Sequence, residues 1–469
     1  MTNGTDPEPP KIKYPRTSSF IGMAIAFVVI SALGIAFVPE RLLTMWVPNA
    51  SVADRGKLLG PAAQVVLFSL GGLIALVGVV LSAARHGEEL RAAERDLRRS
   101  MLQERAHELE KIKENSRATE AEQARIASVE RDLRARFVTA VELLSSEDDP
   151  LRRASGVFVL GSLADDWSEL GRLEEVQVCI DLLCGYLCAP LPVGVTSTPG
   201  PERPVRSAGY ALLRSHLVPG SEHPWDGRKF NLSNAHIDFD VNLTGIVLRA
   251  GSTLDLTDAT INGASLRMSN VAVDGSARLI LIRVKLTGAA ALELDGARAT
   301  AGAAIDLDRL KASEGSAMSL RGAIATQSSL ISMRWAVFKG ASRLDMHGAV
   351  YAQSSVLVGR DITLDTESTV SLEHLQILSG ASGDLSDAIV QNASRLSATS
   401  ALVGGQHSYA TFDGAQAGAS STFTLHGMRV VDRGSVSALR TEEVDDGVVE
   451  LTGVDVDGGT FEEEAPLRE

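Results

Sequence analysis

The sequence predicts an α+β multidomain chain. Two transmembrane helices and a long charged helix lead to a small helical unit, then to a right-handed parallel β-solenoid built from half-coil units of about 13 residues. Three observations carry this reading. Two long apolar stretches near the start hold no charge, and a proline-free run of mixed charges follows them. The second half then repeats one apolar spacing, as in LDLTDATINGASLRMSNVAVDGSAR over 254–278.

Residues 20–38 and 61–84 are the uncharged stretches, and about 20 apolar residues suffice to cross the hydrocarbon layer as a helix. The exit of the first, GIAFVPE, lacks the small residues of a signal-peptide cleavage site. Lys11, Lys13 and Arg16 precede the pair; Arg85, Arg91, Arg95, Arg98 and Arg99 follow it; only Arg41, Arg55 and Lys57 lie between. Because cationic flanks stay inside, the reading is a two-span plasma-membrane protein with both termini cytoplasmic, residues 1–19 being an N-terminal tail. Trp46, in the connecting loop, suits a membrane–water interface.

Residues 85–136 form the charged helix. From 86 to 136 there are 12 Lys/Arg and 12 Asp/Glu, many of opposite sign four apart. Leu109, Ile112, Ile126, Leu133 and Phe137 trace a heptad seam, which Ser116, Thr119, Gln123 and Glu130 interrupt. Both a solvated stalk helix and a coiled coil, with homo-oligomerisation through it, fit that pattern. Residues 137–218 read as a helical cap with a linker. A helix ends at the turn Ser145–Asp149, and a second starts near Pro150. A third buries Val176, Ile180, Leu183 and Leu187; the Pro/Gly-rich linker APLPVGVTSTPGPERP then leads to a fourth, VRSAGYALLRSHL. Cys179, Cys184 and Cys188 have neither the CxxC pairing nor the fourth ligand of a zinc site, so they read as buried apolar thiols in a reducing compartment.

The solenoid is expected over 227–461. Its template is Φ-x-Φ-x-x-A-x-Φ, with Φ apolar, and about 18 starts fit it between 230 and 449. Leu254, Leu256, Ala259 and Ile261 show it, as do Leu292, Leu294 and Ala297, and Leu344, Met346 and Ala349. Apolar pairs two apart, offset by five, mark short extended segments joined by tight turns; a helix would space them by three and four. About three extra residues per unit, often Gly, Ser or Ala, suit a wider corner. One unit is too small to enclose side chains. Two units make a coil of about 26 residues, and about nine coils stacked ~4.8 Å apart make a rod on the order of 40 Å long.

FNLSNAHI and LDLTDATI are similar to pentapeptide-repeat proteins, whose faces read A-(D/N)-L-x-x. The segments RFVTAVELLSSEDDPLRRASGVFVLGSLADD, VCIDLLCGYLCAP and PVRSAGYALLRSHL, with WDGRKFNLSNAHI after them, resemble the head of actinobacterial membrane-anchored members of that group. The likeness covers about 130–460. It departs in having few phenylalanines at core positions and in its three-residue insertions. It implies architecture more than activity.

Charge is concentrated at the end. Residues 442–469 carry 11 acidic groups and one basic, whereas 227–441 carry 19 of each sign. A near-neutral rod disfavours a nucleic-acid mimic or a nucleic-acid binder. The tail, 462–469, is expected to cap the last coil with charge. Asp384, Asp387 and Asp413 lie on successive odd-numbered units, which can share a face, and raise a carbohydrate-binding or polysaccharide-cleaving β-helix as an alternative, although Asp also simply fills the outward position. His347, His374 and His426 form a candidate surface stripe, interrupted at Thr399. No phosphate loop, nucleophile elbow or metalloprotease motif is present. The expectation is therefore a non-enzymatic scaffold without cofactor, metal or catalytic residue. Its partners would be the lipid bilayer and an unidentified protein, not nucleic acid.

Overall fold

A computed structural model describes residues 17–49, 51–146, 149–190, 197–198, 200–249 and 251–468. The expected tail cations Lys11, Lys13 and Arg16 lie outside these residues, as does much of the linker after Pro190. The chain divides into two compact units, one ending at Ala124 and one from Arg125 onward.

The first unit is helical. Helix α1 is Thr17–Trp46, and α2 is a 93-residue helix, Val52–Leu144, that continues into the second unit. Within α1, Val29–Trp46 is long and apolar enough to cross a bilayer, with mean hydropathy 1.4 over 18 residues. Among the described residues it is the one such window. The second stretch, 61–84, lies within α2, and side chains including Leu73, Leu76 and Val77 fall outside the description. The expected charged helix is not a separate element either: stretch, stalk and first cap helix run on without a break.

In the second unit, α3 (Pro150–Glu169), α4 (Leu173–Leu187) and α5 (Glu202–Leu217) pack around one core. Asp149 caps α3, its carboxylate accepting from the Leu151 and Arg152 N–H groups at 2.9 and 3.2 Å, and proline takes the first helical position. Val176, Ile180, Leu183 and Leu187 recur at three- and four-residue spacing on α4, and all are buried.

From Lys229 the chain winds into a parallel β-solenoid with four sheets. The first face has ten strands, Lys229–Asn231 to Thr460–Glu463; the second has ten, His236–Ile237 to Leu467–Arg468. The third has nine, Val241–Asn242 to Val448–Thr452, and the fourth nine, Val247–Leu248 to Asp455–Asp457. This is about nine coils, consistent with a pentapeptide-repeat-like fold. Registers such as Ala304↔Leu330↔Val356↔Ser382 place equivalent residues 26 apart. Most three-residue strands bury the middle residue, and the turns bury a second set, so Leu254, Leu256, Ala259, Ile261, Leu292, Leu294, Ala297, Leu344, Met346 and Ala349 all lie in the core.

The extra residues of each unit form wide corners, and these hold a ladder of buried hydroxyls. Ser316, Ser342, Ser368, Ser394 and Ser421 stack at the corner between the second and third faces. The Ser316, Ser342 and Ser368 hydroxyls donate to the Ser313, Lys339 and Asp365 carbonyls at 2.6, 2.6 and 2.8 Å. A hydroxyl there occupies little volume and satisfies a carbonyl that would otherwise be buried unpaired. At the next position of this column stands Gly447, where an added Cβ would come within 2.0 Å of the Ala417 carbonyl oxygen. The strands continue to Arg468, so the residues expected as an acidic cap beyond 461 pair as part of the last coil. The half-buried Phe461 ring, packed against the core, keeps that strand in register.

Candidate interaction surface

The corners fix which side chains face outward. Asp or Asn at the end of a strand accepts from the backbone N–H two residues on: Asp255 from Thr257 at 2.8 Å, Asp306 from Asp308 at 3.0 Å, Asp345 from His347 at 2.9 Å. One residue later the backbone is left-handed, as at Asp258, Arg283, Arg309, Trp335, Asp361 and Asp387, with φ between 55° and 60°. Such a conformation is uncommon in L-residues, and it aims those side chains away from the rod.

The carboxylates considered for catalysis serve this scaffold. Asp384 accepts from the Ser386 hydroxyl at 2.6 Å and pairs with Arg360 at 3.0 Å. Asp413 ties two coils together, accepting from the Ser437 hydroxyl at 2.5 Å and the Leu439 N–H at 2.7 Å. Asp387 stands exposed at its corner. The structure does not join the three into an acid/base pair.

The histidines share a corner column. His347 and His374 are on neighbouring coils with ring centroids 5.1 Å apart, edge to face, and His347 Nδ1 lies 3.6 Å from Glu373. His426 is two coils further, beyond Thr399, and its Nδ1 is 2.9 Å from the Thr452 hydroxyl. The stripe is thus a pair and a separate third member. Among the described residues no three His, Cys, Asp or Glu groups are placed to hold a metal. The cysteines are free thiols. Burial pushes Cys179 up to about 12 and Cys188 up to about 11, and it raises Cys184 further still. All three stay protonated near neutrality, unsuited to nucleophilic work.

Two features were not singled out from the sequence. The exposed Trp335 indole has two guanidiniums near it, with Arg309 and Arg334 centred 5.2 and 5.3 Å from the ring. Buried Asp308 fixes Arg334 through contacts of 2.9 and 2.6 Å. On the adjoining second face, Lys285 and Lys311 are direct register partners and both are exposed. The 26-residue spacing of Arg283, Arg309 and Trp335 was the available signal; it becomes legible only when outward positions are aligned as carefully as inward ones.

Fold and surface together define a parallel β-solenoid repeat protein with polar outer rows. Comparison with family models, curated proteins and solved structures finds no match, so the functional reading rests on this geometry.

Proposed function

We propose that this chain is a non-catalytic, membrane-anchored scaffold of the pentapeptide-repeat-like kind. Two spans, 20–38 and 61–84, hold it in the plasma membrane with both termini cytoplasmic. The charged stretch 85–136 spaces the solenoid from the bilayer and offers a route to homo-oligomers. The solenoid displays rows of side chains to a protein partner, with no need of a cofactor or nucleic acid.

The observation that carries the reading is a contrast in what each part does with its apolar residues. The solenoid hides its apolar ladders, whereas α1 and α2 leave Ile30, Phe37, Val65, Phe68 and Val79 more than half exposed. A water-soluble surface seldom tolerates such a concentration, and a bilayer would cover it. Rigid coils at ~4.8 Å intervals then suit display of evenly spaced contacts.

The test joins alkaline carbonate extraction of membranes to reporter fusions after Glu469 that are active on one side only. Retention in the membrane with a cytoplasmic reporter is the expected result. Release by carbonate would overturn the anchoring. An exterior reporter would overturn the orientation and favour a cell-envelope polysaccharide as ligand.

A further inference from the structure

The outward row of the second face has an order that its sequence position alone does not explain. In hydrogen-bonded register it reads His236, Thr260, Lys285, Lys311, Val337, Thr363, Ile389, Gln416, Glu442 and Leu467. Within it, two lysines precede an uncharged, half-apolar middle and a glutamate follows, with Thr260 before them and Leu467 after. Thr363 lies three strands from Lys285 and three from Glu442, about 14 Å each way.

From Lys285 to Glu442 this stretch fits itself reversed, with Lys311 falling opposite the Gln416 amide. We propose that the second face pairs with the same face of a second copy of this chain, antiparallel, about a two-fold axis at Thr363. Such an isologous contact sets Lys285 of each copy against Glu442 of the other and Val337 against Ile389. Thr363 meets its own counterpart.

Several observations support this occupant. Lys285 and Lys311 are like charges on adjacent strands, an arrangement that costs stability unless an anion lies opposite. Neither makes a direct ion pair among the described residues of its own chain, although Lys285 lies near enough to Asp258 to lower its carboxyl. Glu442 is held in place by Gln416, whose amide donates to it at 2.8 Å. Ile389 is 39% exposed, an apolar outward site near the middle of this row. The parallel outer row of Lys339 and Asp365 is already internally paired at 3.3 Å and adds no net charge. The neighbouring corner column does not repeat this order: Asp258 precedes Arg283, Arg309 and Trp335, and Arg440 follows Asp361 and Asp387. The inference names a partner for one face of the scaffold and holds whether or not the helices sit in a bilayer.

The test mixes isotope-labelled and unlabelled full-length chain in detergent, applies a zero-length carbodiimide cross-linker, and maps the linked peptides by mass spectrometry. Within one rod, Lys285 and Glu442 are six strands, or about 29 Å, apart, so a direct link between them must join two copies. The expected result is a mixed-isotope Lys285–Glu442 link. Its partner site is removed in Lys285→Glu or Glu442→Lys, so those variants are read by sedimentation, with self-association about tenfold weaker. The double variant K285E/E442K, which swaps the charges on both copies, should restore association and the link. Absence of the mixed link in the native chain, or association indifferent to the single reversals, would overturn the proposal. Dimers formed through the charged helix would give the latter result without touching the anchoring test.

Discussion

The two ends of the solenoid solve one problem in different ways. Both terminal coils carry strand edges whose backbone groups invite other chains. At the first coil, helices cover the edge. The Gln177 side-chain amide imitates a neighbouring strand, accepting from the Lys229 N–H at 3.0 Å and donating to its carbonyl at 2.7 Å. Arg214 donates to the Thr244 carbonyl at 2.9 Å. Trp225 stacks on His216 with centroids 4.1 Å apart and lies 6.3 Å from Phe230, closing the open core. At the last coil the strands hold Glu450, Asp455, Asp457, Glu462 and Glu463, and Val448 and Val456 are exposed. One end is closed by packing, the other guarded by charge. Packing stabilises the coil it covers, whereas like charge only keeps other edges away.

The largest expected effect is at the covered end. Trp225→Ala should destabilise the full chain by about 3–5 kcal/mol, read by chemical denaturation, with hydrogen-exchange protection lost from the first coils and kept in the last. At the other end, Gly447→Ala should cost about 1–3 kcal/mol, since the Ala417 carbonyl must move, and should loosen only the final coil. If either substitution melts the whole rod uniformly, the ends are not independent.

Neutralising the charged end with E462Q/E463Q/E464Q should change stability by no more than about 0.5 kcal/mol. Light scattering should nevertheless rise with concentration as unguarded edges meet. Unchanged scattering would mean that charge does not protect this end.

The smallest effect concerns pH. Hydrogen bonds from Arg283, at 2.7 and 2.6 Å, with its charge and that of Lys285, hold the Asp258 carboxyl below its ordinary range. The stability this gives is present above the unfolded carboxylate pKa of about 4 and is lost as pH falls through the lower folded value. Denaturation midpoints measured from neutrality down through that window should therefore fall less steeply for Asp258→Asn than for the native chain.

Much of this was legible in the sequence because it depends on local spacing. Inward positions such as Leu292 and Leu344 announce themselves by period, and α4 does so through Val176, Ile180, Leu183 and Leu187. The 27 residues between His347 and His374 sufficed to place them on neighbouring coils. The buried serines were not legible, because a hydroxyl reads as outward until the corner carbonyl beside it is known. Gln177 gave no signal either, since its partner is backbone 52 residues away. The solenoid, expected to end at 461, runs on to Arg468; the pairing of Thr460–Glu463 and Leu467–Arg468 with the preceding coil is not visible in local spacing.

The central claim is that packing closes one end of the rod and charge alone guards the other. Hydrogen exchange of the full-length chain, followed coil by coil, tests it most directly. The account predicts that the strands around Lys229–Asn231 exchange as slowly as mid-rod strands such as Arg343–Asp345, with Thr460–Glu463 the fastest. Equal protection at both ends, or faster exchange at the first coil than at the last, would contradict it.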